Sequence, residues 1–96
     1  MSKMVAIFES NELTQQQYDS ILQEMGEIEK AEYPNRPVHI AFQKGDSWCV
    51  VDVWNSEEVL MDFAGRVIMP TFEKLGITPP QPQVYPIYRY VNSLEV

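Results

Sequence analysis

The sequence predicts a single α+β domain with the element order βαββαβ. Three observations point to it. Two strand-like runs, 38–44 and 47–54, are separated only by Gly45-Asp46. Apolar residues recur at helical spacing on either side of that pair. A last apolar run contains Pro86, whose missing N–H suits the edge of a sheet. The chain has 96 residues, a length that suits one domain. A domain of this size has a thin core, yet 45% of the residues are hydrophobic, which points to a partner covering some of them.

Residues 4–8 form a short apolar run followed by Glu9-Ser10-Asn11, a strand and then a turn. Thr14 is placed as a helix N-cap, with Gln17 completing a capping box and Leu13 and Tyr18 spaced for a hydrophobic staple. Tyr18, Ile21, Leu22, Met25 and Ile28 then recur on one helical face, which predicts a helix over about 15–30 that Pro34 and Pro37 end. Ser56 caps a second helix, with Glu57 and Glu58 suited to its positive end. Its apolar stripe runs Leu60, Phe63, Ala64, Val67, Phe72 and Leu75; Pro70 kinks or restarts it and Gly76 ends it. Residues 78–82 form an extended proline-rich linker, and 84–91 form the last strand. This order is the ferredoxin-like one, whose antiparallel sheet runs 4-1-3-2 with both helices on one face and the last strand at an edge.

If Lys44 pairs with Ser47 across the Gly45-Asp46 turn, the register follows by counting. His39 then faces Asp52, Ala41 faces Val50, and Gln43 faces Trp48. On the reverse side Val38, Ile40 and Phe42 meet Val53, Val51 and Cys49. That reverse side is wholly apolar and the first side, which ends in Trp54, is mixed. Neither suits free solvation, so the sheet needs two covers, while two helices usually provide one.

The stretch Val50-Val51-Asp52-Val53-Trp54-Asn55-Ser56-Glu57-Glu58 is a strand ending in Trp that runs into a helix through x-Ser-x-Glu. With Phe63, and Pro70 followed by Gly76, it resembles the dimeric α+β barrel superfamily. That group includes antibiotic-biosynthesis-type monooxygenases, muconolactone isomerases and haem-degrading monooxygenases. The resemblance covers nearly the whole chain as element order. It implies a homodimer whose sheets pack face to face, and a pocket in each subunit between the sheet and its own helices. It also implies that Trp54 borders this pocket, that the mixed face looks into it, and that the apolar face packs on the second subunit. Haem-degrading relatives use an axial histidine on the second helix. Residues 56–75 contain none, so haem degradation is not expected. No His/Cys/carboxylate spacing suggests a metal, and no cofactor is implied.

His39 is the only histidine, so acid–base work near neutral pH falls most naturally to it, with Asp52 fixing its tautomer. A pocket lined by Trp48, Trp54 and Ala41 would hold a flat or apolar ligand, with Gln43 offering a hydrogen bond. Arg89 on the last strand could receive an anionic substrate or pair with one of the many acids. Against this stands the plainer reading that His39 and Asp52 satisfy each other as a half-buried cross-strand pair. Cys49 reads as an inert buried thiol, and Met25, Met61 and Met69 as core filler. Two functions remain open: a cofactor-independent isomerase-like or monooxygenase-like enzyme for a small apolar or aromatic substrate, and a non-catalytic dimeric binding or interaction module.

Fourteen acidic residues against 7 basic ones give a net charge of −7, which argues against nucleic acid and anionic membrane surfaces as partners. The apolar run 4–8 is too short for a membrane span. A lone cysteine allows no internal disulfide and fits the reducing cytoplasm.

Overall fold

Gly45 takes φ = 58°, a conformation costly for residues with a Cβ, and the chain reverses there in two residues. The computed structural model describes residues 2–94. Around this turn β2 (Val38–Lys44) and β3 (Ser47–Trp54) pair in the counted register, with Lys44 opposite Ser47 and His39 opposite Asp52. β1 (Met4–Ser10) pairs antiparallel with the other side of β3, and β4 (Gln83–Pro86) lies outside β1. The sheet order is β2-β3-β1-β4, which counted from the β4 edge reads 4-1-3-2. The arrangement is consistent with a ferredoxin-like fold.

β4 is shorter than the expected 84–91. It pairs Pro86 with Met4, and one further bond runs from the Ile87 N–H to the Lys3 carbonyl (2.9 Å). β1 begins at Met4, so the chain beyond has no regular strand to pair with, and Arg89 lies exposed past the end of β4.

α1 (Gln15–Met25) opens with the expected capping box: the Gln17 N–H donates to Thr14 Oγ1 (3.1 Å) and the Thr14 N–H to Gln17 Oε1 (3.0 Å). It does not reach residue 30. Gly26, at φ 53° and ψ −127°, breaks it, and α2 (Glu27–Ala31) restarts with a new rotation. The break reverses one expectation about the core: Ile28 turns outward, 53% exposed, and Glu29 turns inward, 9% exposed.

α3 (Glu57–Phe63) is capped by Ser56, whose Oγ accepts from the Val59 N–H (3.2 Å). It widens into a π-type turn, Ala64–Ile68, closed by the Met69 N–H on the Ala64 carbonyl, and continues as α4 (Met69–Leu75). Pro70 has no N–H to return to the preceding turn, and the widened segment is how the helix accommodates it. Gly76 ends α4 in the left-handed conformation.

The helices pack on one face of the sheet. Trp54, Phe63 and Leu60 are the largest fully buried side chains, joined by Ala6, Ile21, Met25, Val67 and Phe72. Met61 and Met69, expected as filler, are mostly exposed. The other face has no cover within the chain: Ile40, Phe42 and Tyr85 are 51%, 40% and 52% exposed, and Val5, Ile7, Val38, Val51 and Val53 lie between them half-buried. At one end of this face Lys44 reaches across β3 to Glu9 (3.0 Å), over the buried Cys49. Among the described residues no helix is long and apolar enough to cross a membrane.

Candidate functional site

Alternation along β2 and β3 points His39 and Asp52 to the helix side of the sheet as direct neighbours. His39 Nδ1 lies 2.5 Å from Asp52 Oδ1. The apolar stripe of α1 settles on the same face and places Tyr18 above the imidazole, its hydroxyl 2.5 Å from Nε2. Burial first, and then the Asp52 carboxylate, push Tyr18 up to about 12, so its hydroxyl stays protonated at neutral pH. A protonated phenol donates to Nε2, which leaves the proton of a neutral imidazole on Nδ1, where it donates to Asp52. Tyr18, His39 and Asp52 thus form one chain of hydrogen bonds running in a single sense. Asp52 is buried, while the His39 side chain keeps 24% of its surface open.

This chain borders a cavity of about 150 Å³ between the sheet and the helices. Phe8, Val50 and Val84 form its floor; Ile21, Leu60 and Phe72 line its helical side; Pro79, Pro80 and Pro82 of the linker complete the lining. Its charged and polar lining residues are Tyr18, Glu29, Arg36, His39 and Asp52, with the Trp48 indole beside Tyr18 at 5.3 Å between ring centroids. A space of this volume matches a single benzene-sized ring and falls below the range of about 300–1,000 Å³ usual for drug-sized ligands. On the outer side of His39 a second, open hollow is lined by Leu22, Tyr33 and Pro37 together with Glu29 and Arg36. The imidazole therefore stands between this apolar cavity and a more open surface hollow.

Arg36 is buried and donates from Nη2 to Glu29 Oε2. Its guanidinium lies over the rings of Trp54 (5.8 Å) and Tyr33 (5.7 Å). These contacts hold the polar end of the cavity in place, and Asn55 fastens the same corner, donating from Nδ2 to the Pro34 carbonyl (2.8 Å).

Of the residues singled out from sequence, His39, Asp52 and Trp48 line the cavity. Trp54 does not. It is fully buried against Phe63, with 5.5 Å between ring centroids, because the end of β3 lies beneath α3. Ala41 shares the face of His39 but sits on the edge strand β2, away from the lining. Gln43 is occupied with the hairpin turn, where its Nε2 donates to the Gly45 (2.8 Å) and Ser47 (3.1 Å) carbonyls. Arg89, past β4, is also absent from the lining. Sequence reasoning placed Tyr18 in the core stripe and passed over Glu29 and Arg36. For Tyr18 a signal existed, since a hydroxyl on a buried stripe needs a partner. For Glu29 the signal lay in Gly26, which permits the break that turns it inward.

No family model, curated protein or solved structure matches the chain in comparisons with each. The site must therefore be read from its own chemistry. Among the described residues no group of three or more His, Cys, Asp or Glu side chains is placed to hold a metal ion. What the arrangement offers is an imidazole oriented by a buried carboxylate, a protonated phenol, and a small apolar hollow beside them.

Proposed function

We propose that this chain is a homodimeric small-molecule-binding domain of the dimeric α+β barrel kind it resembles, acting on a one-ring apolar or aromatic substrate as a cofactor-independent acid–base enzyme. The observation that carries this reading is the hydrogen-bonded Tyr18–His39–Asp52 chain on the wall of a largely apolar cavity. Asp52 orients the imidazole, and His39 receives and returns the proton. Such a site supports isomerisation by proton abstraction and return. It also supports oxygenation of an electron-rich ring that itself activates oxygen, where the protein contributes orientation and a dry environment. The open apolar face of the sheet is where a second copy packs, and the reducing cytoplasm is the compartment that suits the free thiol of Cys49.

A second reading, a non-catalytic binding module, is favoured by one observation: both nitrogens of His39 are already engaged. A panel of phenol, hydroquinone and small lactones separates the two. Calorimetric binding together with turnover that disappears in His39→Ala, while binding persists, is the expected result. Binding without turnover by the wild type selects the non-catalytic module, and no binding by any member overturns both.

A further inference from the structure

A molecule enters a cavity where the wall is thinnest and least tied down. Ile21, Leu60, Phe63 and Phe72 line the cavity and are themselves buried, so further protein stands behind them. Three stretches of the lining are also outer surface, which makes the wall a single side chain thick there. One is the His39 side, with the open hollow behind it. Another is the linker, where Pro79 and Pro80 separate the cavity from a polar hollow outside. The last is the strip from α3 to α4, where Met61 and Met69 face the cavity and yet are 63% and 51% exposed.

The three differ in what holds them. His39 is fixed by hydrogen bonds at both nitrogens, so opening that side breaks the Tyr18–His39–Asp52 chain. The linker is pinned at both ends, by the Ile77 N–H on the Phe72 carbonyl (2.9 Å) and by the pairing of Gln83 with Ile7. Its prolines also fix φ, so it yields only by a movement of the main chain. The methionine strip has no such ties. Methionine is unbranched and flexible, and it has no strong hydrogen bond to break when it turns aside. Exposed side chains change rotamer faster than loops move. The widened turn Ala64–Ile68 lies between the two methionines, and Ala64 and Ile68 line the same strip. Ala64 is three residues beyond Met61, its neighbour on the helix surface, and its single methyl fills little of the wall.

We propose that Met61 and Met69 form the port of the cavity: a one-ring apolar molecule enters and leaves past these two side chains, and their rotamers set the rate of exchange while the main chain stays in place. The inference rests on the small-molecule reading above and adds where the molecule passes. It gives a role to two large apolar side chains that the core does not bury.

Fluorobenzene, a probe of the size of the cavity, tests it on the full chain. Fluorine exchange NMR gives its association and dissociation rates, and their ratio is Kd. A port has a kinetic signature that a mere wall lacks: both rates move together. Met61→Trp combined with Met69→Trp should slow both by about tenfold, the effect on a rate of one strained side chain in the path. Met61→Ala combined with Met69→Ala should speed both. Pro80→Ala should leave both near their wild-type values. Either methionine pair decides the matter if the other does not fold. Rates indifferent to the methionine changes overturn the inference. So does a change in dissociation alone, which makes the methionines wall and not port, and so does a Pro80→Ala variant that exchanges faster than the alanine pair, which puts the passage at the linker. Each of these leaves the small-molecule cavity standing. Failure of the wild type to bind fluorobenzene overturns the cavity reading, and the port with it.

Discussion

Tyr18, His39 and Asp52 are each ordinary side chains whose behaviour is set by two contacts of 2.5 Å. For Tyr18 burial matters first, and the Asp52 carboxylate adds to it. Its folded form holds the phenolic proton up to about pH 12, whereas an unfolded tyrosine releases it near its ordinary value of 10.0. Between those values the unfolded chain binds fewer protons than the folded one, so stability falls as pH rises. The contribution is complete below pH 10 and is lost as the pH passes about 12. Tyr18 is only partly buried, so the loss is on the order of 1 kcal/mol once solvent screening is allowed for. Urea unfolding across this alkaline range should show a slope in the wild type that Tyr18→Phe lacks. The buried Arg36–Glu29 pair obeys a different rule. Glu29→Gln leaves a guanidinium without its counter-charge, and should cost about 3–5 kcal/mol in unfolding experiments. The double change Glu29→Leu with Arg36→Met should recover most of that.

Among the elements, the helical layer is shaped by two interruptions, and both feed the site. The break at Gly26 turns Glu29 inward to meet Arg36, and the widened turn Ala64–Ile68 places Ala64 and Ile68 against the cavity. A Cβ at Gly26 would meet nothing closer than the Gln23 carbonyl oxygen at 3.8 Å, so the cost of Gly26→Ala is one of backbone conformation and not of space. It should lower stability by about 1–3 kcal/mol. Gly65 is a useful contrast, with an ordinary φ and open space around it. Gly65→Ala should raise stability by up to about 1 kcal/mol by restricting the unfolded chain. Thermal unfolding of the two variants, which should shift in opposite directions, checks both. The hairpin was readable in the chain because Gly45-Asp46 allows one register, and one register fixes every cross-strand pair from Lys44 to Val38. The helix break was harder to read, because Ile28 continues the apolar spacing of Tyr18, Ile21 and Met25 across Gly26, and a glycine permits a break without requiring one.

For the whole molecule, the uncovered face of the sheet dominates. Ile40, Phe42 and Tyr85 stand exposed among half-buried valines, and the Lys44–Glu9 pair bounds the apolar strip at one end. Under the dimer proposed above, Ile40→Lys combined with Phe42→Lys should give a monomer in sedimentation velocity. The melting temperature of the isolated fold should change little, since both side chains are already largely open within the chain. Each copy carries a charge of −7, so added salt should tighten the wild-type dimer by screening their repulsion. A wild type that sediments as a monomer at all concentrations would sink the dimer.

The sequence by itself determined the element order, the hairpin register, the placement of His39 beside Asp52 and the apolar character of the outer face, because strand alternation and a two-residue turn act over short range. Only the tertiary structure decided which aromatic residues reach the cavity and which polar groups share it. Trp54 is drawn into the core by α3, Gln43 is bound by its own turn, and Tyr18 and Arg36 arrive from outside the hairpin. Those outcomes depend on how helices settle on a sheet, which is a matter of packing between segments distant along the chain, and no local pattern of residues encodes it.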